Sequence, residues 1–361
     1  MSFIAIRDQA VPIRLLRHML ERSRVPNGLL LWGPGGVGKR LTALEVAKAV
    51  NCAEGKNDAC DRCLTCRKIT SGNHPDVRMV APVKRARVID VETVETINEF
   101  AALRAFESAW RVFIILDAER MNLPAQNHFL KTLEEPAGRS LFILVTEFPR
   151  MLLPTIRSRC QQIRFGTLRP ETVAELLIRE RGLPRDQAEA LAELSQGQMS
   201  RALDLVDSDK RAVVLEITQR LAEGGDPLSV AEEFSNHLTG LRDQITGAVK
   251  TTADIRAPEE ITREDREQMK AEEQAVIDAW YRHDVMNYLY LFQTWYRDIA
   301  VYHATGETAL VLNRDQLDRL RAAAPIHLDE KVEAVGKART YLERFINEER
   351  VFRDLFFALA S

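Results

Sequence analysis

Three short apolar runs punctuate the first half of the chain: Leu29-Leu30-Leu31-Trp32, Val112-Phe113-Ile114-Ile115-Leu116 and Leu141-Phe142-Ile143-Leu144-Val145. Each has strand length, lacks polar alternation and gives way to turn chemistry or a helical pattern. That predicts parallel strands buried on both faces. Met79-Val80 and Val88-Ile89-Asp90-Val91 are weaker strand candidates around the Pro82 break. Beyond Arg169 the strand signal fades. Pro170 opens a predicted helix with Val173, Leu176 and Leu177 on one face, and Gly182-Leu183-Pro184 stops it. A shorter helix is predicted around Ala188–Ser195 and ended by Gly197; everything past Met199 reads as helical. Near the end, Tyr341, Leu342, Phe345, Phe352, Leu355, Phe356 and Leu359 fall close to a 3.6-residue period, so one stripe should pack on other helices. The pattern divides the chain into an α/β core at 1–166, a small helical module at 167–206 and a helical domain at 207–361.

Composition narrows the class. The 361 residues are 45% hydrophobic and 29% charged, which excludes a disordered chain, a collagen-like repeat and a small disulfide scaffold. No apolar run approaches the ~18 residues of a membrane span. Met1–Leu20 is broken by Arg7, Asp8, Arg14 and Arg17, so it does not read as a secretory leader, and a cytoplasmic setting is expected. The net charge of -3 argues against coating nucleic acid by electrostatics alone. The polar stretch Lys250–Glu273 reads as a solvated linker or exposed helix face in preference to a partner-binding arm. Trp280, Tyr281, Tyr288, Tyr290, Phe292, Trp295 and Tyr296 have the helical spacing of packing residues, which favours core or interface over base stacking.

Chemistry concentrates in three places. The first is Gly33-Pro34-Gly35-Gly36-Val37-Gly38-Lys39-Arg40, which follows the first apolar run and opens a predicted helix through Leu41, Leu44 and Ala47. This is the Gly-x4-Gly-Lys phosphate loop in its strand–loop–helix context. Gly33, Gly35, Gly36 and Gly38 let backbone N–H groups turn inward around phosphates, and Lys39 reaches the terminal ones. The next position normally supplies a magnesium-ligating hydroxyl; here it is Arg40, which cannot ligate a cation. Thr42 lies about 200° further round the helix and cannot replace it. The strand Val112–Leu116 ends in Asp117, placed to hold a magnesium water shell. Ala118 stands where a water-polarising glutamate is expected, and Glu119 is displaced by one. ATP or ADP can still bind such a cradle, whereas magnesium-dependent hydrolysis is disfavoured.

The second is a cluster of thiols. Cys52-x7-Cys60-x2-Cys63-x2-Cys66 gathers four of the five cysteines within fifteen residues. In a reducing compartment disulfides are disfavoured, and four thiolates at this spacing can close on Zn²⁺ as a structural site. An iron–sulfur cluster and buried unliganded cysteines are the alternatives. His74 reads as structural. A direct DNA contact by this module is a weaker idea.

The third is Pro154-Thr155-Ile156-Arg157-Ser158-Arg159-Cys160, a loop after the third apolar run. Thr146, at the end of that run, occupies the place of a γ-phosphate sensor. Arg159 can serve as an arginine finger for phosphoryl transfer. The alternative is that Arg157 and Arg159 make local ion pairs.

Taken with Phe129-Leu130-Lys131-Thr132-Leu133-Glu134-Glu135-Pro136 and Thr155-Ile156-Arg157-Ser158-Arg159-Cys160-Gln161, these motifs resemble the bacterial clamp-loader subunits of the AAA+ class over about residues 9–205. The resemblance implies a phosphate-loop AAA+ core with a zinc module, a helical lid and a helical collar. It also implies a heteropentamer with gamma/tau and delta subunits within the DNA polymerase III holoenzyme, which places a sliding clamp on primed DNA. In that family the Ser-Arg-Cys loop presents its arginine to ATP on the neighbouring subunit, which maps onto Ser158, Arg159 and Cys160. Arg40, Ala118 and Ser200, with Arg201 displaced by one, depart from the ATP-hydrolysing gamma/tau motor; such a motor, or another AAA+ ATPase, is the competing reading. The resemblance therefore implies a stator with little or no ATPase activity of its own.

Overall fold

The computed structural model describes residues 3–55, 57–82, 88–136, 138–254, 263–344 and 346–360. The chain falls into two compact units: residues 1–172 with 197–200, and residues 173–196 with 201–361.

The first unit is built on a parallel five-stranded sheet, ordered β2-β3-β4-β1-β5. Its strands are β1 (Gly28–Trp32), β2 (Val77–Val80), β3 (Arg111–Ile115), β4 (Ser140–Thr146) and β5 (Gln161–Arg164). The three apolar runs are β1, β3 and β4, and every residue of β3 and β4 is buried. In register, Leu30 faces Leu144 on one side and Gln162 on the other, so β1 lies inside the sheet with its C-terminal end aimed at the phosphate loop. Helices α1 (Ala10–Glu21), α2 (Lys39–Asn51), α3 (Leu64–Thr70), α4 (Val91–Ala102), α5 (Leu123–Glu134) and α6 (Pro154–Arg159) connect and cover it. One face of the sheet packs Phe113 and Phe142 against Phe129 of α5 and Val94 and Ile97 of α4. The Phe113 and Phe142 rings stack 5.2 Å apart, and Phe129 meets Phe142 edge-on at 5.4 Å.

Two expectations change, and one strand is added. Residues 88–91 are not a strand. Ile89 makes a single parallel bridge to Met121, and the Asp90 carboxylate accepts the Thr93 N–H at 3.0 Å, which caps α4. The Arg157–Arg159 segment is not a loop but the short helix α6, started by Pro154. β5 carries no apolar pattern, because on this edge strand only Ile163 is buried.

The second unit is helical: most of α7 (Pro170–Arg181), α8 (Arg185–Leu194), α9 (Met199–Asp207) from Arg201 on, α10 (Lys210–Ala222), α11 (Pro227–Asp254), α12 (Arg263–Thr305), α13 (Leu317–Ala322), α14 (Leu328–Glu343) and α15 (Glu348–Ala360). Gly182 and Gly197 adopt positive φ of 66° and 73° at the ends of α7 and α8, as their stop signals predict. Tyr281, Tyr288, Phe292, Trp295 and Tyr296 are buried, so the aromatic spacing is core packing. Phe234 of α11 sits at the centre of this core, with ring contacts to Tyr288, Phe292, Phe352 and Phe356. The terminal stripe is split between α14 and α15, which bury Leu342, Phe352, Leu355, Phe356 and Leu359; Phe345 lies outside the described residues. Residues 255–262, inside the Lys250–Glu273 stretch, also lie outside them.

Candidate functional site

The phosphate loop joins β1 to α2. Gly33, Gly36 and Gly38 take positive φ values of 146°, 72° and 96°. Gly33 could carry no side chain in any case, since a methyl there would lie 2.4 Å from the Phe165 carbonyl oxygen. Lys39 is buried, and its Nζ donates to the carbonyl oxygens of Gly33 at 2.7 Å and Pro34 at 2.5 Å. Burial pulls the Lys39 ammonium below its ordinary pKa, and the charges of Glu147, Glu119 and Asp117 oppose that pull. Arg40 points to solvent. Thr42 is fully buried and donates its hydroxyl to the Gly38 carbonyl at 2.9 Å, so it offers nothing to a metal at the loop mouth.

The carboxylate side of the site is equally altered. Asp117 ends the β3 segment in a left-handed conformation, with φ 47° and ψ 49°. Ala118 is buried in the core beneath the sheet, where a glutamate would have to desolvate its charge. Glu119 Oε2 is buried with no hydrogen-bond partner among the described residues. Thr146 is buried at the end of β4, where its hydroxyl oxygen accepts the Phe148 N–H at 3.0 Å and its carbonyl accepts Gly33 N–H at 3.3 Å. The structure thus gathers Lys39, Asp117, Glu119 and Thr146 around one loop.

Two contacts here escape sequence reading. A methyl on Gly35 would lie 2.6 Å from Glu147 Oε1 and 2.5 Å from Ser200 Oγ, so both side chains press against the loop. A methyl on Gly36 would lie 2.2 Å from the Ser200 backbone nitrogen. Glu147 directly follows Thr146, which was the signal available; Ser200 is far away in sequence.

Arg159 lies at the end of α6, its side chain 37% exposed. It pairs with Glu134 Oε1 at 2.5 Å and donates to the Thr155 carbonyl at 3.2 Å. Ser158 donates to the same carbonyl at 3.0 Å. Cys160 is the buried anchor of this segment: a methyl on Gly28 of β1 would lie 2.9 Å from its sulfur. Burial pushes its thiol up to about 12.

The four remaining cysteines converge. Their sulfur atoms all lie within 4.8 Å of one another, with the Cys52–Cys63 and Cys60–Cys66 pairs at 4.0 Å. A tetrahedral ion with metal–sulfur bonds of ~2.3 Å requires sulfurs about 3.8 Å apart, and a disulfide requires about 2 Å. The cluster therefore fits a metal ion, and all its thiols are free. Backbone N–H groups already point at three sulfurs: Gly55 to Cys52 at 3.1 Å, Cys63 to Cys60 at 3.3 Å and Cys66 to Cys63 at 3.4 Å. Burial raises the Cys52 thiol, but the N–H groups of Cys60, Glu54 and Gly55 outweigh it and bring it to about 7. Lys48, on α2, holds Asp61 of this loop and Glu45 at 2.8 Å each. His74 stands apart, its ring accepting the Asp76 N–H at 3.1 Å.

No helix among the described residues is long and apolar enough to cross a membrane. Residues 8–169 match a protein family described as DNA polymerase III, delta subunit. The chain is 34% identical to DNA polymerase III subunit delta' of Bacillus subtilis over 204 residues, covering 55% of this chain and 60% of the relative. It is 31% identical to the Escherichia coli delta' over 208 residues, covering 56% of this chain and 61% of the relative. DNA polymerase III subunit tau of Bacillus subtilis is 29% identical over 244 residues, 65% of this chain and 39% of that protein. The chain thus spans about three fifths of the length of these delta' relatives. A solved Thermotoga maritima DNA polymerase III gamma subunit-related protein aligns over 98% of this chain and 99% of its own, at 17% identity and a TM-score of 0.40. Residues 8–169 are thus similar to the DNA polymerase III delta-subunit family, and the likeness to delta' agrees with the resemblance that the motifs carry.

Proposed function

We propose that this chain is a delta'-like stator of a bacterial clamp loader, which keeps the nucleotide fold without turning ATP over and lends Arg159 to ATP on a neighbouring subunit. One contrast carries the reading. The positions that would serve hydrolysis in its own site are filled by exposed Arg40 and buried Ala118, while Arg159 is held at the protein surface by α6. An arginine supplied in trans stabilises charge on the transferring phosphoryl group, an effect worth roughly 10³–10⁵ in rate. The Glu134 pair is partly exposed and therefore weak, so an anionic phosphate can displace it.

In this reading Gly33, Gly35, Gly36, Gly38 and Lys39 form a cradle for ATP or ADP, bordered by Arg40, Asp117 and Thr146. Glu147 crowds that cradle with negative charge and opposes nucleotide entry. Residues 167–206 act as a lid and 207–361 as a collar in a cytoplasmic heteropentamer with gamma/tau and delta subunits. That assembly opens the sliding clamp and places it on primed DNA as part of the DNA polymerase III holoenzyme. Cys52, Cys60, Cys63 and Cys66 hold Zn²⁺ in a closed structural site, because four sulfurs leave no position open for water.

The second reading, an ATP-hydrolysing gamma/tau-type motor, draws on the similarity to tau. It predicts magnesium-dependent ATP turnover by the purified chain alone. The stator reading predicts none, together with a loss of turnover when Arg159→Ala chain is assembled with its partner subunits.

A further inference from the structure

Residues 103–110 link α4 to β3 without regular secondary structure, yet hydrogen bonds anchor them at Arg104, Phe106, Glu107, Ser108 and Trp110. The buried Asp76 carboxylate accepts the backbone N–H groups of Phe106 at 2.7 Å, Glu107 at 2.9 Å and Ser108 at 3.0 Å. Ser108 Oγ meets His74 Nε2 at 3.0 Å, and the Arg111 guanidinium donates to the carbonyls of Phe100 and Arg104. The remaining anchors come from the two flanks of the thiol cluster. Asn51, the residue before Cys52, accepts Trp110 N–H at 2.8 Å and donates to the Trp110 carbonyl at 3.0 Å. Lys68, two residues after Cys66 on α3, reaches both carboxylate oxygens of Glu107 at 2.8 Å. The segment so held displays Phe106 at 83% and Leu103 at 60% exposure.

We propose that the metal-loaded thiol module is a clasp that fixes residues 103–110 through Asn51 and Lys68, and with them the displayed side chains of Leu103 and Phe106. Among its described residues the thiol loop has almost no apolar core of its own: Ala59, Cys63 and Cys66 are buried together, with Cys52 and Cys60 packed against them. α2 packs on α3 and Lys48 of α2 holds Asp61, and a bound ion adds a rigid tie between the end of α2 and the start of α3. Cys63 caps α3 and Cys52 follows α2, so one metal sets the separation between the Asn51 amide and the Lys68 ammonium. Each contact is weak by itself, and Lys68–Glu107 is partly exposed. Acting from a rigid base, they hold two points of one short segment at once. Asp76 and Arg111 hold it from behind without the metal, so losing the ion should loosen the segment rather than the sheet.

The inference does not depend on the stator reading, and its test needs no ATP measurement. Hydrogen exchange is followed by mass spectrometry on the full chain, metal-loaded and after chelation, with bound Zn²⁺ measured in parallel. Exchange in residues 106–110 should rise at least tenfold on metal removal while β1, β3 and β4 stay protected. The Asn51→Ala, Lys68→Ala double variant keeps all four thiols. It should retain its Zn²⁺ and show most of the same rise. Unchanged exchange at 106–110 in the stripped chain overturns the proposal. If stripping unfolds the whole first unit, the metal-loaded double variant decides: protection equal to the wild type overturns the clasp.

Discussion

Cys160 and Asp76 show how burial can be used in opposite ways. Nothing offsets burial at Cys160, and its thiol is driven up to about 12. At pH 8 almost no thiolate forms there, so the sulfur is inert packing against Gly28. Iodoacetamide should therefore label the metal-stripped folded chain at residues 52–66 and leave Cys160 unmodified until denaturant is added; labelling of Cys160 in the folded chain, read by peptide mass, would refute this. At Asp76 burial also raises the pKa, but the N–H groups of Glu107, Phe106 and Ser108 and the charge of Arg111 outweigh it, leaving the carboxyl below its ordinary value. A depressed carboxyl contributes stability in full above its unfolded pKa of about 3.9 and loses it as pH falls through the folded value. Asp76→Ala leaves three N–H groups without their acceptor and Arg111 without its counter-charge, so it should cost about 3 kcal/mol at pH 7. The variant and wild type should converge in thermal midpoint as pH drops below 4. A difference that persists undiminished at pH 2 would show that packing, not the ionised carboxylate, is responsible.

At the scale of elements, the departures from the phosphate-loop pattern, Arg40 and Ala118, fall just after β1 and β3, and the strands themselves are intact. Glu147 follows β4 and presses on Gly35 beside Lys39, Asp117 and Glu119. Glu147→Ala should tighten binding of a fluorescent ATP analogue to the isolated chain by about tenfold, the worth of ~1.4 kcal/mol of repulsion removed. Equal affinity in both proteins would clear Glu147 of any part in exclusion. Ala118→Glu should not create an ATPase, because its carboxylate would enter the core packed around Phe113 and Phe129; the expected result is a lowered unfolding midpoint. The phosphate loop and the thiols were legible because their chemistry is local in sequence. β1, β3 and β4 were legible because strands buried on both faces are continuously apolar. β5 was not, since Gln161, Gln162 and Arg164 are exposed on an edge strand and only Ile163 is buried. The contacts of Glu147, Ser200 and Glu134 with Gly35, Gly36 and Arg159 went unread for another reason: they exist only once distant segments are folded together. The α6 helix was hidden by its length, too short for a period to register.

Over the whole molecule, the two units rest on different cores. The first is a sheet covered by helices, with the phosphate-loop glycines at the end of β1 and the thiol module after α2. The second depends on an aromatic cluster in which Phe234 meets the rings of His237, Tyr288, Phe292, Phe352 and Phe356. Phe234→Ala should cost about 3–5 kcal/mol and destabilise that unit, seen as an early helical unfolding transition. If the first unit is independently stable, the exchange protection of β1, β3 and β4 should survive. The central claim is that this chain supplies an arginine to a neighbour's ATP and no turnover of its own. It is tested most directly by magnesium-dependent ATP turnover of the assembly built with gamma/tau and delta partners, with wild-type chain or its folded Arg159→Ala variant. The account predicts none from the chain alone and a clear fall in the assembly carrying the variant. Turnover by the isolated chain, or an assembly indifferent to Arg159→Ala, would contradict it.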